Sequence, residues 1–354
     1  LLGLFIILVL AVPWYVLVTL ANGEAFIDSF FGYHNLERFT SVVNRHKGPW
    51  YFYFEILFLG FAPWSIYLPL AIARLSFWKR SIWRSQSRSH HLGLFALFWF
   101  GAVFGFFTIA VTKLPSYILP LIPATAILVA LFWSSQTTQM ARPTWAVKLS
   151  VIVNVAFFLA LAGAIVYTPP LLQDDKILFR LPSLLQSSGV IIMGATIATM
   201  TAIVSLFLLL RRQIRWIWLV NLIGLLALLS FTLMPAIFLF DSQRQLPLRQ
   251  LSQIAVQDRK PGEELAMIGF RKPSIVFYTR HPVKFLGSTR ETIAYLRAIA
   301  IQPSQPSSIL LLGMVDNLDA LGFQPPQYQQ VGEVGAYQLI RISKPVLDQV
   351  RPPD

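Results

Sequence analysis

The stretch from Ala21 to Tyr53, ANGEAFIDSFFGYHNLERFTSVVNRHKGPWYFY, holds Asp28, His34, Glu37, Arg38, Arg45, His46 and Lys47, yet it lies between two long apolar runs. Charged groups are costly at bilayer depth, so ionisable side chains beside such runs either stand in water or serve a purpose. The aromatics Trp14, Trp50, Tyr51 and Tyr53 flank the stretch as an interfacial belt does. It therefore reads as a loop at a membrane surface and as one wall of a polar cavity there.

The composition agrees. The chain has 354 residues, of which 55% are hydrophobic and 13% charged, and its mean hydropathy is +0.60, outside the range of ordinary soluble domains. It reads as a polytopic membrane protein. Lys and Arg number 29 against 16 Asp and Glu, a formal charge of +13. The positive charges gather in short loops between apolar spans, as the positive-inside rule predicts, so nucleic acid is not an expected partner. With no cysteine, neither a disulfide framework nor a thiolate metal site is open to the chain. Position 1 is Leu within an apolar run, with no basic n-region or small-residue cleavage site, so the run is not a signal peptide. The chain is expected to begin inside a longer protein.

A hydrocarbon core takes about 20 apolar residues per helix. Runs of that order lie at about 1–20, 52–72, 92–111, 118–133, 149–167, 189–210 and 216–240. In the second, Gly60, Pro63 and Pro69 predict a kink. Alternate loops carry Arg74, Lys79, Arg80, Arg84 and Arg88, then Arg142 and Lys148, then Arg211, Arg212 and Arg215, more basic residues than the loops between them. That excess places the N-terminus of this chain in the cytoplasm, and the loop 21–53, the Lys113 turn and everything after Phe240 outside.

From Asp241 the composition turns polar. Leu265 to Phe270, Ser274 to Thr279, Ile309 to Val315 and Tyr337 to Ile342 read as strands, and Arg290 to Ile301 as a helix. The expected architecture is a polytopic α-helical membrane protein of about seven transmembrane helices over 1–240, followed by a small extracytoplasmic α/β domain over 241–354. That domain has no Gly-rich phosphate loop, nucleophile elbow or metal-ligand cluster, so its expected role is supporting.

Three consecutive side chains, Arg45, His46 and Lys47, precede a Gly48-Pro49 turn and an aromatic run that enters the bilayer. Arg offers a two-pronged fork, Lys a point charge, and His either a donor or a metal ligand, a set that grips a phosphate. Basic residues beside an aromatic belt also simply anchor helices, and that reading stays open. Lys113 ends one span two residues before Pro115, where a tight turn leaves little room to snorkel, and Tyr117 follows on the same turn. Asp28, Glu37 and Arg38 read by default as a solvated helix face. Asp174 and Asp175 read as loop solvation rather than an acid/base pair, and His90 and His91 as inert.

Together the motifs Pro13-Trp14-Tyr15, Phe30-Phe31, Asn35-Leu36-Glu37-Arg38-Phe39, His46-Lys47-Gly48-Pro49-Trp50-Tyr51-Phe52-Tyr53, Gly60 to Trp64 and Lys113-Leu114-Pro115-Ser116-Tyr117-Ile118-Leu119-Pro120 resemble a known family. It is that of the bacterial aminoarabinose transferases and dolichyl-phosphate-mannose-protein mannosyltransferase-like enzymes, integral-membrane glycosyltransferases of the GT-C fold. The resemblance covers about residues 1 to 240. It implies transfer of a sugar from a polyprenyl-phosphate donor to a lipid or protein acceptor at the outer face of the bacterial inner membrane. The residues it assigns to the donor phosphate are His46, Lys113 and Tyr117, with Arg38 beside them; Arg45 and Lys47 join by their chemistry. His46 is also the candidate ligand for a divalent metal ion. The catalytic Asp that the resemblance implies is expected upstream of Leu1; within this chain Asp28 and Glu37 are the possible substitutes. A lipid or sugar transporter, or a non-catalytic membrane subunit that binds a polyprenyl-phosphate lipid, is the alternative reading.

Overall fold

A computed structural model of the chain describes residues 1–42, 46–79, 81, 84, 91–138, 144–301 and 307–347. Contacts divide the chain into two units, Leu1–Ala160 with Thr199–Leu225, and Leu161–Ala198 with Leu226–Asp354.

The first unit is helical. Helix α1 (Leu2–Asn22) buries none of its residues, as suits a segment whose apolar surface is solvated by lipid. Helix α2 starts at Glu24–Phe26, widens into π-helical turns over Ile27–Glu37 and closes at Arg38–Thr40. Helix α3 (Phe52–Gly60) and α4 (Leu68–Arg74) are joined by a tight turn at Trp64–Tyr67. This second apolar run is bent by 113° rather than kinked. Pro63 cannot donate to a helical ladder and disfavours helix in the residue before it, so the run breaks instead of curving.

Helix α5 (Leu92–Ile109) leads through a 3₁₀ segment, Pro115–Leu121, into α6 (Ile122–Thr138). Then come α7 (Trp145–Leu171) and, after a short α8 (Leu181–Ser187), α9 (Val190–Leu210) and α10 (Ile217–Leu228). Tyr53, Tyr67, Leu121, Leu128, Val151 and Ile217 centre the core of this unit. Asn154 and Asn221, both fully buried, satisfy one another across it with amide hydrogen bonds of 3.0 and 3.3 Å, as buried polar groups must. Among the described residues six helices are long and apolar enough to cross a membrane, seven if the broken pair is one span. The chain is a multi-pass membrane protein.

The last apolar run does not stop at 240. It continues from α10 through wide turns at Leu229–Leu233 into α11 (Met234–Arg244), and α12 (Leu246–Asp258) follows directly. Five strands then form one sheet: β1 (Glu264–Ile268), β2 (Val283–Leu286), β3 (Ser308–Met314), β4 (Tyr328–Val334) and β5 (Tyr337–Ser343), in the order β2-β1-β3-β5-β4. The first three run parallel, and β5 and β4 are antiparallel to their neighbours.

Helix α13 (Ser274–Thr279) stands where a strand is expected. Its residues favour strands, but Ile275 and Thr279, four apart, are the two that are buried, the spacing of a helix face. Tertiary burial overrides local preference here. Helix α14 (Thr289–Ile301) packs on one face of the sheet with Leu296 and Ile299, and α12 and α13 on the other with Leu251 and Ile275. Strands β2 and β4 have no counterpart in the expected set because each is short or largely exposed, without a clear apolar alternation.

Candidate functional site

Two chain segments interlock where the first polar loop meets the turn after α5. The N–H groups of Val111 and Thr112 donate to the carbonyls of Phe39 and Arg38, at 3.0 and 3.1 Å. The Thr112 hydroxyl donates to the Ser41 carbonyl at 2.7 Å. Farther along, the Lys113 N–H donates to the His46 carbonyl at 3.0 Å, and Lys47 bridges Thr112 in antiparallel fashion. Residues 38–41 and 46–47 thus both clasp the strand-like 111–113 segment.

That clasp places side chains together. Arg38 Nη1 donates to the Tyr117 hydroxyl at 3.2 Å. Its Nε–H is buried without an acceptor among the described residues, and a buried unpaired donor costs about 1–3 kcal/mol. Lys113 is buried; its ammonium donates to the carbonyls of Thr108 and Ala110 at 2.8 and 3.0 Å and lies 5.2 Å from the centre of the Tyr53 ring. It therefore caps the end of α5, where the helix dipole favours a cation. Burial pushes its pKa down.

Tyr53 is fully buried and its hydroxyl accepts from the Leu114 N–H at 3.2 Å. Gly48 packs on this arrangement so closely that a Cβ there would stand 3.0 Å from Lys113 Cδ.

Of the sequence-derived site residues, Arg38, Lys113 and Tyr117 converge through side chains. His46 and Lys47 join through their backbone and leave exposed side chains with no hydrogen bond or ion pair among the described residues. Arg45 and His90 lie outside the described residues. Asp28 and Glu37 are exposed on α2. Asp175 accepts from the N–H groups of Ile177 and Leu178, a local cap.

Tyr53 was not among the expected ligand residues, although it closes the motif that begins at His46. Glu55 was also missed: it is the acidic residue of an apolar helix, one turn into α3, and a charge within such a helix is itself a functional signal. Among the described residues no three His, Asp or Glu side chains gather. These residues alone do not form a shell for a metal at His46.

A cavity of about 530 Å³, lined by Phe61, Trp64, Val129, Trp133 and Trp218 among others, carries no charged side chain among the described residues. It suits hydrocarbon rather than phosphate.

Comparison with known proteins follows the same lines. Over its whole length the chain superimposes on ArnT from Cupriavidus metallidurans, solved bound to undecaprenyl phosphate, with a TM-score of 0.64 and 20% identity, covering 61% of that protein. The chain has a GT-C membrane fold. The same protein in its apo state gives a TM-score of 0.62. In sequence, the chain is 33% identical over 121 residues to the undecaprenyl phosphate-α-4-amino-4-deoxy-L-arabinose arabinosyl transferase 2 of Proteus mirabilis, which is 34% of this chain and 20% of that protein.

The corresponding transferase of Yersinia pestis is 29% identical over 157 residues, 44% of this chain and 26% of its own. The GT-C chain described here thus matches about a fifth to a quarter of these curated relatives. Residues 258–353 match the C-terminal domain of the cyanobacterial RgtA-type glycosyltransferases. The α/β domain, which carries no motif of its own, is the part that this profile recognises.

Proposed function

We propose that the chain is the donor-lipid portion of a membrane glycosyltransferase, one that moves a sugar from a polyprenyl-phosphate carrier to a lipid or protein acceptor at the outer face of the inner membrane. The observation that carries this reading is the Arg38 guanidinium, held to Tyr117 with a buried N–H that lacks an acceptor among the described residues, at the junction where His46 and Lys47 present exposed side chains. A lipid phosphate supplies the missing acceptor. The relatives, an ArnT that binds undecaprenyl phosphate and an arabinosyl transferase of an undecaprenyl-phosphate-linked sugar, support the same chemistry.

When the bond from the sugar's anomeric carbon to the phosphate oxygen breaks, its electron pair stays on the phosphate and the negative charge there grows. Cations fixed in advance at that point stabilise the transition state more than the ground state. Arg38, His46 and Lys47 take this role, and Arg45, next to His46 in sequence, is a further candidate, while Lys113 and Tyr117 hold the turn and orient Arg38. The acceptor oxygen forms the new bond to the anomeric carbon, and its proton passes to a carboxylate. Asp28 and Glu37 are the candidates that the outer loop of this chain offers. In this arrangement the N-terminus of the chain is cytoplasmic and the α/β domain extracytoplasmic, following the basic loops.

The test is sugar transfer by the complete native protein in proteoliposomes, with undecaprenyl-phosphate-linked aminoarabinose as donor and lipid A as acceptor. Wild-type protein releases undecaprenyl phosphate, and His46→Ala and Lys47→Ala lower the rate by at least about 100-fold, in the range of a lost transition-state contact. Wild-type rates in both variants would dismiss the site.

A further inference from the structure

The three parallel strands end on one edge of the sheet. The segments leaving that edge are Gly269 to Lys272 after β1, Gly287 and Ser288 after β2, and Val315 to Asn317 after β3. Because β3 pairs antiparallel with β5, Tyr337 starts at the same edge, opposite Met314. The chain leaves β1 for β2 on one side and then crosses to β3 on the other, with α13 and α14 on opposite faces. Such a reversal of strand order opens a crevice at the carboxyl ends of the strands, the place where open α/β sheets take ligands.

In this crevice Phe270 packs on Tyr337, with ring centres 5.6 Å apart. Tyr337 is fully buried, yet its hydroxyl has no hydrogen-bond partner among the described residues. The Ser274 hydroxyl donates to Gln245 Oε1 at 3.4 Å, which ties the segment after β1 to the end of α11. Arg244 and Lys272 flank this tie.

Neither cation has an ion pair among the described residues; the pairs present are Lys176 with Asp316, and Arg341 with Asp258 and Glu263. Burial, and then the neighbouring charge of Arg244, lower the pKa of Lys272. The charge of Asp175, which accepts from the N–H groups of Ile177 and Leu178, also reaches Tyr337. Beside the edge, a cavity of about 390 Å³ is lined by Lys176, Phe179, Met314, Val315, Asp316 and Ala336. Within the same unit α11 closes a long apolar helical run, so the crevice lies where apolar helices give way to the polar domain.

We infer that this carboxyl edge binds a phosphate-bearing anion, with Arg244 and Lys272 as its cationic partners and the Tyr337 hydroxyl as a further donor. Like charges near one another cost the fold free energy, which a bound anion returns. The inference uses none of the residues of the Arg38–Tyr117 junction and does not rest on the transfer reading. The shared chemistry is a phosphate oxygen set, supplied either by an anionic phospholipid headgroup or by a free phosphate.

The full chain, purified in a neutral detergent, is titrated with inorganic phosphate, with phosphatidylglycerol and with phosphatidylcholine, and its thermal unfolding is followed. Arg244→Gln, Lys272→Gln and Tyr337→Phe are compared with wild type. Phosphatidylglycerol, but not phosphatidylcholine, is expected to raise the wild-type Tm, with apparent affinity at least tenfold weaker in the two charge variants and intermediate in Tyr337→Phe. Without ligand, the Gln variants unfold no lower than wild type, because each removes a repulsion; this separates lost binding from a damaged fold. Stabilisation by inorganic phosphate alone identifies a free phosphate as the ligand. Equal responses of wild type and all three variants to both anions would overturn the inference.

Discussion

The Arg38 guanidinium donates to the Tyr117 hydroxyl at 3.2 Å across a sequence separation of 79 residues. This contact turns an isolated loop cation into one fixed against the turn that follows α5. A freely rotating Arg would spend entropy on every ligand it grips; one held by Tyr117 has spent it during folding. Tyr117→Phe is therefore expected to weaken undecaprenyl phosphate binding by about tenfold, equivalent to about 1.4 kcal/mol, with membrane insertion unchanged. Arg38→Lys is expected to lose at least as much, because an ammonium cannot hold Tyr117 and the ligand with a planar fork. Equilibrium binding of the lipid checks both.

Lys113 and Lys47 should part company. Lys113 satisfies two carbonyls at the end of α5, so Lys113→Met is expected to cost about 1–3 kcal/mol of stability through orphaned buried acceptors. It should lower the Tm as well as activity. Lys47 presents an exposed side chain, so Lys47→Met is expected to lower activity at an unchanged Tm. Thermal unfolding measured beside the transfer rate distinguishes the two.

Gly48 offers a steric check on the clasp. An added Cβ meets both Lys113 Cδ at 3.0 Å and the Phe52 ring at 3.2 Å, tighter than most packed side chains, so these neighbours must shift, and overpacking costs about 1–3 kcal/mol. Gly48→Ala is expected to reduce transfer and Tm together, whereas Gly32→Ala, where a Cβ meets nothing within 4 Å, leaves both near wild type.

The membrane spans were legible because length and hydropathy alone decide what can cross a bilayer, and the breaks at Gly60 and Pro63 announced an interruption, though not its 113°. The three strands near Leu265, Ile309 and Tyr337 were legible from their buried apolar runs. Ser274 to Thr279 was not, since what decides it is the burial of Ile275 and Thr279 against partners distant in sequence. At the site, the family resemblance singled out Arg38, His46 and Lys113, while residue type alone left Arg38 on a solvated helix face; the pairing of Arg38 with Tyr117 is tertiary and has no local signature. The inward turn of Lys113 onto its own helix end does have one: a cation just past the last turn, stopped by Pro115.

In the α/β domain, Glu263 is fully buried and receives hydrogen bonds from Arg341, Ser308 and the Lys260 N–H. Burial alone would raise its pKa, but these bonds outweigh it and hold the carboxyl below the ordinary value of 4.5. The unfolded chain therefore takes up this proton first as pH falls. The stabilisation is fully present above about 4.5 and is lost as pH drops through the lower, folded value. Hydrogen exchange of the β3 and β5 amides in the full chain is expected to accelerate on that acid limb, and Glu263→Gln to remove much of the pH dependence. Removing one partner outright, as in Glu263→Ala, is expected to cost about 3–5 kcal/mol by stranding the buried Arg341.

The claim at the centre of the account is that the clasp formed by residues 38–41, 46–47 and 111–117 recognises a lipid phosphate. The measurement that bears on it most directly is binding of undecaprenyl phosphate against undecaprenol, the same lipid without its phosphate, by the chain in nanodiscs of neutral lipid. The account predicts that wild type prefers the phosphate by at least about 100-fold, close to 2.7 kcal/mol, and that Arg38→Ala with Lys47→Ala brings the two affinities together. Equal binding of both lipids by wild type, or a preference that survives the double substitution, would contradict it.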